Sequence, residues 1–263
     1  MSQLEARALS VGYDTRAVLQ DLNLQVLEGE LTVIVGQNAC GKSTLLRSLA
    51  RLLAPSHGQI LLDGADLQKI PTKQVARQIG MLPQSSIAPE GITVFDLVAR
   101  GRFPHQSVLS GWTEADERAV TKALAATRLE EIAHRQVEEL SGGQRQRVWI
   151  AMALAQETET ILLDEPTTFL DLGHQLEVLE MLVELKDQGR TVVAVLHEIN
   201  LAARYATHLI AMKSGSIVAQ GSPRAILNEQ LIHEVFDVDA RVIDDPDAGC
   251  PVVLPRARRS TTR

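Results

Sequence analysis

A chain of 263 residues, 45% apolar and 22% charged, can bury one large core with or without a smaller inserted subdomain, and such a composition excludes global disorder. Its 33 acidic residues outnumber 26 basic ones, a formal net charge of −7, and only 3% of it is aromatic, which argues against a general nucleic-acid binder. No apolar run approaches the roughly 18 residues of a membrane helix, Met1 to Ser10 carries no secretory segment, and Cys40 and Cys250 fit neither a disulfide framework nor metal-ligand spacing, so a reduced, cytoplasmic chain is expected.

From residue 4 to 35 the pattern is β. Leu22, Leu24 and Val26 alternate with Asn23 and Gln25, as on a half-buried strand. After the Glu28-Gly29-Glu30 turn, the run Leu31-Thr32-Val33-Ile34-Val35 predicts a central strand covered on both faces, as in a parallel α/β sheet. Leu45, Leu46, Leu49, Leu52 and Leu53 then form a helical stripe, so a helix is expected from Lys42 to Leu53, stopped by Pro55. Strand, turn and helix cues continue through Ile60-Leu61-Leu62, Asp63-Gly64 and Thr72 to Ile79. Between about residues 86 and 157 the character is mostly helical, and Thr113 with Asp116, then Ser141 with Gln144, read as capping boxes. Strand-like runs return at Ile161-Leu162-Leu163 and Thr191 to Leu196, either side of a helix from about His174 to Lys186. The plan is an α/β core interrupted by a helical insert. Ser222 with Pro223 reads as a further helix start, and the closing Arg256, Arg258, Arg259 and Arg263 read as a solvated end rather than a binding arm. The expected division is one domain over residues 1–240, with the insert at about 86–157, and a tail over 241–263 with a short strand.

Two motifs carry chemistry. Gly36-Gln37-Asn38-Ala39-Cys40-Gly41-Lys42-Ser43 fits GxxxxGK[ST] and lies between the buried strand and the amphipathic helix. That context is what the physics requires: successive backbone N–H groups form an anion nest, and the helix N-terminus adds its dipole. In such a loop Lys42 reaches the β- and γ-phosphates and the Ser43 hydroxyl ligates Mg2+. The second motif is Thr160-Ile161-Leu162-Leu163-Asp164-Glu165, a buried strand ending in two carboxylates. Asp164 is placed to hold Mg2+ and Glu165 to orient or deprotonate the attacking water. Alone, an acidic pair after a strand is a helix cap or a solvated loop; downstream of a phosphate loop the chemical reading prevails.

Leu140-Ser141-Gly142-Gly143-Gln144 stands between the two motifs. It resembles the signature motif of ATP-binding cassette (ABC) proteins, and it also reads as a helix cap whose glycines leave backbone donors accessible. The resemblance covers residues 4 to 254. It implies a P-loop NTPase (RecA-like) α/β core with an N-terminal antiparallel β subdomain and an inserted α-helical subdomain. It also implies that Ser141, Gly142, Gly143 and Gln144 face the ATP of a second subunit, sandwiching two sites in a head-to-tail homodimer. Residue by residue, Tyr13 matches the aromatic that stacks on adenine, and Gly36, Gln37, Asn38, Ala39, Cys40, Gly41, Lys42, Ser43 and Thr44 match the phosphate loop. Gln84, after Met81-Leu82-Pro83, matches the glutamine that touches Mg2+ and the attacking water and couples to the transmembrane partner. Leu170-Asp171 matches the loop that crosses the dimer interface, and His197 the histidine on the γ-phosphate. The resemblance thus assigns catalysis to Glu165, His197, Gln84 and Lys42, and Mg2+ to Ser43, Gln84 and Asp164 through ATP and waters.

One branch fits best: the ATPases of bacterial ferric-siderophore importers, with haem and cobalamin importers as close relatives. The stretches that suggest it are Ala88-Pro89-Glu90-Gly91, Leu97 to His105, Gln144 to Arg147 and His174 to Leu179. The implied cofactors are ATP and Mg2+. The implied partners are transmembrane permease subunits and, indirectly, a periplasmic or surface substrate-binding protein, with no nucleic acid and a peripheral position on the cytoplasmic face of the inner membrane. Coupling is expected just after Gln84, around Ser85 to His105, where Phe95, Leu97 and Val98 mix with Arg100 and Arg102. The family usually has Pro and Gly where this chain has Gln37 and Ala39, and Ala39 costs on the order of 1 kcal/mol if its position needs φ > 0. Glu198 in place of Asp, and Phe103 and Phe169 in place of Tyr, read as tolerated changes. A soluble, non-transport ABC ATPase normally carries two cassettes or a long coiled-coil insertion. A P-loop GTPase or small-molecule kinase leaves the Ser141 motif and His197 unexplained. The cargo stays open among siderophore, haem and cobalamin.

Overall fold

The computed structural model describes residues 3–13, 16–84, 87–106 and 111–256. The chain opens with β1 (Leu4–Tyr13) and β2 (Arg16–Gln25), then β3 (Leu31–Gly36) and α1 (Lys42–Leu49). Next come β4 (His57–Leu62), the two-residue β5 (Ala65–Asp66), α2 (Thr72–Val75) and β6 (Ile79–Leu82). The stretch up to the next strand is helical, with α3 (Val94–Ala99), α4 (Glu114–Ala126) and α5 (Gly142–Ala155). Strands and helices then alternate through β7 (Thr160–Asp164), α6 (Leu172–Asp187), β8 (Thr191–Val195), α7 (Ile199–Tyr205) and β9 (His208–Lys213). The hairpin partner β10 (Ser216–Gly221), α8 (Pro223–Ile226), α9 (Glu229–Phe236) and a hairpin of β11 (Ala240–Asp244) and β12 (Pro251–Pro255) complete the order.

Two sheets organise these elements. One is antiparallel, in the order β2-β1-β4-β5; the other runs β10-β9-β3-β8-β7-β6 and is parallel except for β10. Pleating sends successive side chains of β3 to opposite faces. Ile34 joins a core with Leu45, Leu46 and Leu49 of α1 and with Leu9 and Leu22 of the antiparallel sheet. Val33 and Val35 join a second core with Val178 and Leu182 of α6. Helix α1 is thus packed between the two sheets, and burial on both faces is why residues 31–35 form an unbroken apolar run. The α/β class expected from the sequence is the class observed.

Helix α1 stops at Leu49, four residues short of the expected end. Arg51 adopts φ 60°, its N–H donates to Ser48 O at 2.9 Å, and the Leu52 N–H donates to Arg47 O at 2.8 Å. This is the paired closure of a Schellman motif, with arginine where glycine is usual, so the terminus carried no glycine signal.

In the helical stretch, the Thr113 hydroxyl accepts from the Asp116 N–H while the Asp116 carboxylate accepts from the Thr113 N–H, closing the expected capping box on α4. The coupling surface expected at residues 85–105 needs correcting. Leu97 and Val98 are buried in the second core, and Phe95 packs on Trp112 with ring centroids 6.1 Å apart. Arg102 also points inward: it donates to Asp116 Oδ1 at 2.9 Å, Ala155 O at 2.7 Å and Glu157 Oε2 at 2.8 Å. Among the described residues of this stretch, the exposed side chains include Ile87, Pro89, Glu90, Asp96, Arg100 and Phe103, while Ser85 and Ser86 lie outside the described residues. Of the basic end, Arg258, Arg259 and Arg263 lie outside the described residues. Arg256 is anchored, with Nη2 3.6 Å from Glu229 Oε2 and its N–H donating to Asp239 O. No helix among the described residues is long and apolar enough to cross a membrane.

Candidate active site

Strand β3 delivers the chain to Gly36, and the loop from there turns into α1. Gly36 and Gly41 lie at φ 153° and 107°, and a Cβ would stand 2.3 Å from Met212 O at the first and 2.7 Å from Leu19 Cδ2 at the second. Only glycine fits either position. Side chains of Thr93, Thr113, Ser141, Asp171 and Asn228 cap α3, α4, α5, α6 and α9, but α1 begins at Gly41 with no side-chain cap and no acidic residue in its first turn. Its backbone donors and positive dipole end therefore remain available to an anion.

This terminus lies in a cleft of about 1100 Å³. Asn38, Ala39, Gly41, Lys42, Ser43 and Thr44 line it from the loop and helix, and Tyr13, Arg16, Ala17 and Val18 from the antiparallel sheet. Cys40 is buried behind the loop, and burial pushes its thiol pKa up. Lys42 is also buried, its Nζ donating to Gly36 O and Gln37 O at 2.9 Å each.

Three further lining groups, Gln84, Glu165 and His197, come from the C-terminal ends of three adjacent parallel strands, the usual ligand edge of an open α/β sheet. Gln84 follows β6, Asp164 and Glu165 end β7, and His197 follows β8. Ser43 Oγ donates to Asp164 Oδ1 at 2.8 Å. Burial raises the Asp164 pKa and the charge of Glu165 adds to it, outweighing the Ser43 hydrogen bond and the nearby Arg47 and Lys42. Glu165 adopts φ 55°, within a turn closed by the Thr168 N–H to Glu165 O at 3.2 Å. Its carboxylate meets three partners. Gln84 Nε2 at 2.6 Å and Thr168 Oγ1 at 3.1 Å donate to Oε2, and His197 Nε2 lies 2.7 Å from Oε1.

The other motif residues stand apart from this cleft. Ser141 caps α5, its hydroxyl accepting from the Gln144 N–H at 3.3 Å while Gln144 Oε1 accepts from the Ser141 N–H at 3.1 Å. Ser141 and Gly142 are exposed, and Gly143 is buried. Asp171 caps α6 by accepting from the His174 N–H at 3.0 Å, and it is flanked by Phe169 and Leu172, 98% and 63% exposed. The structure therefore brings together Tyr13, residues 36–44, Gln84, Asp164, Glu165 and His197, and places residues 141–144 and Asp171 outside this cleft.

A family model described as ABC transporter matches residues 19–168, a span that holds the phosphate loop, Gln84, the Ser141 helix and the Asp164-Glu165 pair. The ferric enterobactin transport ATP-binding protein FepC of Escherichia coli (strain K12) is 50% identical over 259 residues, 98% of this chain and 96% of the relative. The chain belongs to the ABC transporter family. Among solved structures, an ABC transporter described as of metal-chelate type, in an inward-facing conformation, matches with a TM-score of 0.83 at 30% identity, covering 97% of each chain. A dimeric ATP-binding cassette in a post-hydrolysis state with ADP and Pi matches with a TM-score of 0.73 at 29% identity, covering 83% of this chain and 98% of that one.

Several cleft residues of this ABC protein escaped the sequence reading. Thr168 touches Glu165 only because the turn folds back on itself. Ser214 and Gly215, at φ 47° and 83°, form the tight turn between β9 and β10, and the Gly215 N–H donates to Cys40 O at 2.9 Å. The dipeptide is a hairpin cue, but nothing local says that the turn docks on the phosphate loop.

Proposed function

We propose that this chain hydrolyses ATP at the cleft, and that two copies work head to tail as the motor of a ferric-siderophore importer on the cytoplasmic face of a bacterial membrane. One observation carries the catalytic part: the Glu165 carboxylate, held by Gln84, Thr168 and His197, shares one cleft with the uncapped start of α1. In this reading Tyr13 stacks on adenine, while the backbone of Gly36, Gln37, Asn38, Ala39, Cys40 and Gly41, with Ser43 and Thr44, cradles the phosphates. Lys42 supplies a point charge against the β- and γ-phosphates. The donor set fits Mg2+: the Ser43 hydroxyl and Asp164 carboxylate stand 2.8 Å apart, and the Gln84 amide oxygen is a further hard donor lining the same cleft. When bound, Mg2+ neutralises charge on the β- and γ-phosphates. Glu165 takes a proton from the water that attacks the γ-phosphorus, the bond to the β–γ bridging oxygen breaks, and that oxygen leaves on ADP with the electron pair. The proton then passes to the departing phosphate, while His197 steadies the γ-phosphoryl oxygens.

Ser141, Gly142 and Asp171 are turned to solvent, which supports the use of this motif and loop against a second copy, as does the dimeric relative. The cargo assignment rests on relatives named for ferric enterobactin and for metal chelates. It implies a permease and, beyond it, a substrate-binding protein as partners. The decisive variant is Glu165→Gln. It is expected to lose ATP hydrolysis by about 100-fold or more, yet to form an ATP-bound dimer on gel filtration. Hydrolysis at the wild-type rate sinks the catalytic assignment. Uptake of labelled ferric siderophore by cells carrying and lacking the chain tests the cargo, and an uptake defect confined to haem or cobalamin reassigns it.

A further inference from the structure

The two glycines of the Ser141 motif have opposite surroundings. Around Gly142 nothing lies within 4 Å of where a Cβ would stand, whereas at Gly143 a Cβ would stand 2.7 Å from His174 Cδ2 and 2.9 Å from Cγ. The start of α5 is thus open at the front and rests on an imidazole at the back. That ring belongs to the first turn of α6 and is itself pinned. Nδ1 of His174 lies 2.7 Å from Asp171 Oδ1, the same oxygen that accepts the His174 N–H at 3.0 Å. The backbone bond alone caps the helix, so the ring bond is not needed for capping; its effect is to orient the imidazole. One turn further along, Arg147 Nη1 stands 3.7 Å from Glu177 Oε2, too long for a hydrogen bond, so this pair holds the helices more loosely than the ring does.

We infer that His174 is a positioning residue that braces the Ser141 motif against the Asp171 loop, so that both elements meet the second copy as one piece. Each side of the brace ends in surface: Ser141 and Gly142 on one side, Phe169 and Leu172 on the other. A rigid pair loses less conformational freedom on docking than two independent elements. His174 lines no part of the ATP cleft, so the brace acts on closure and not on nucleotide binding by a single subunit. This rests on the head-to-tail motor proposed above.

The test uses the full chain in the Glu165→Gln background. There, His174→Ala is expected to weaken ATP-driven dimerisation by about tenfold in sedimentation, within the span of typical site-to-site couplings. Binding of a fluorescent ATP analogue to dilute subunit should stay within about twofold of the parent, a difference well under 1 kcal/mol. His174→Phe keeps a ring against Gly143 without the Asp171 bond, and is expected to recover part of the loss; should the alanine variant fail to fold, the phenylalanine variant carries the comparison against the parent. Dimerisation of His174→Ala equal to the parent's overturns the brace, as does an equal loss in analogue binding or a phenylalanine variant no better than alanine. A Glu165→Gln parent that stays monomeric with ATP counts against the motor itself; a parent that dimerises with and without His174 counts against the brace alone.

Discussion

Ala39 sits at φ 60°, in the left-handed region where an L residue brings its Cβ against the following carbonyl oxygen. The condition set by the sequence is therefore met, and this loop carries strain that a glycine relieves. Strain relief of about 1–2 kcal/mol is partly offset by the extra unfolded-state entropy of glycine, about 0.5–1 kcal/mol. Ala39→Gly is expected to stabilise the fold by about 1 kcal/mol or less, which for a chain of this size raises Tm by about 2–4 °C or less by calorimetry. Asp164 is strained electrostatically instead. Burial holds its pKa above the ordinary aspartate value, so the folded state binds that proton more tightly than the unfolded chain does. The stabilisation this gives is complete below the ordinary aspartate range and disappears as pH rises through the raised folded value. Above that value the ionised Asp164 is a net cost. Asp164→Asn keeps an acceptor for Ser43 Oγ and removes that charge. It should melt higher than wild type at pH 7, with the gain shrinking towards pH 4, while Mg2+-dependent hydrolysis is lost. A lower Tm at pH 7 would show that Ser43, Arg47 and Lys42 already compensate the charge.

At the scale of elements, the helical stretch is fastened by groups far apart in sequence. Arg102 joins the turn after α3 to Asp116 in the first turn of α4 and to Ala155 and Glu157 at the end of α5. Arg102→Leu leaves the buried Asp116 carboxylate without its cation and is expected to cost about 3–5 kcal/mol in urea unfolding, the usual effect of breaking a buried pair from one side. Thr113→Ala, which removes the α4 cap and one hydroxyl donor to Asp116 but leaves Arg102 in place, is expected to cost about 1–2 kcal/mol. The contrast also shows what the chain reveals before it folds. The Thr113 box was legible because both partners sit three residues apart, and β3 was legible because burial on two faces forces an unbroken apolar run. Arg102 was not: its partners are 14 and 55 residues away, and an arginine among apolar residues reads as surface until Asp116 and Glu157 arrive. In the cleft the same divide recurs. The phosphate loop is contiguous and was legible, whereas the hold of Thr168 on Glu165 and of Gly215 on Cys40 exists only through folding.

Across the whole molecule, the question is how a cleft passes its state to a partner. Gln84 supplies one end: Nε2 is bound to Glu165, and it stands only three positions before the exposed Ile87 in the sequence. Ile87 and Phe103 are 92% and 74% exposed, large apolar groups without cover from their own chain. Phe103 is presented firmly, since Arg77 Nε donates to Pro104 O at 2.8 Å, Lys73 Nζ to Gln106 O, and His105 Nε2 lies 2.8 Å from Gln156 O. An apolar side chain held out on an anchored loop suits a pocket in another protein better than solvent, and the proposed permease is the partner that the motor reading supplies. Neither residue touches Glu165 or lines the cleft. Phe103→Ser and Ile87→Ser should therefore leave ATP hydrolysis by the isolated chain unchanged while reducing both recovery with the permease in detergent and uptake of the ferric chelate. Because Leu97, Val98 and Arg102 are buried, serine at those positions should lower Tm first and uptake only in proportion to the folded protein lost. If Phe103→Ser and Ile87→Ser keep full recovery and full uptake, the permease docks elsewhere, and Gln84 then serves Glu165 without relaying its state.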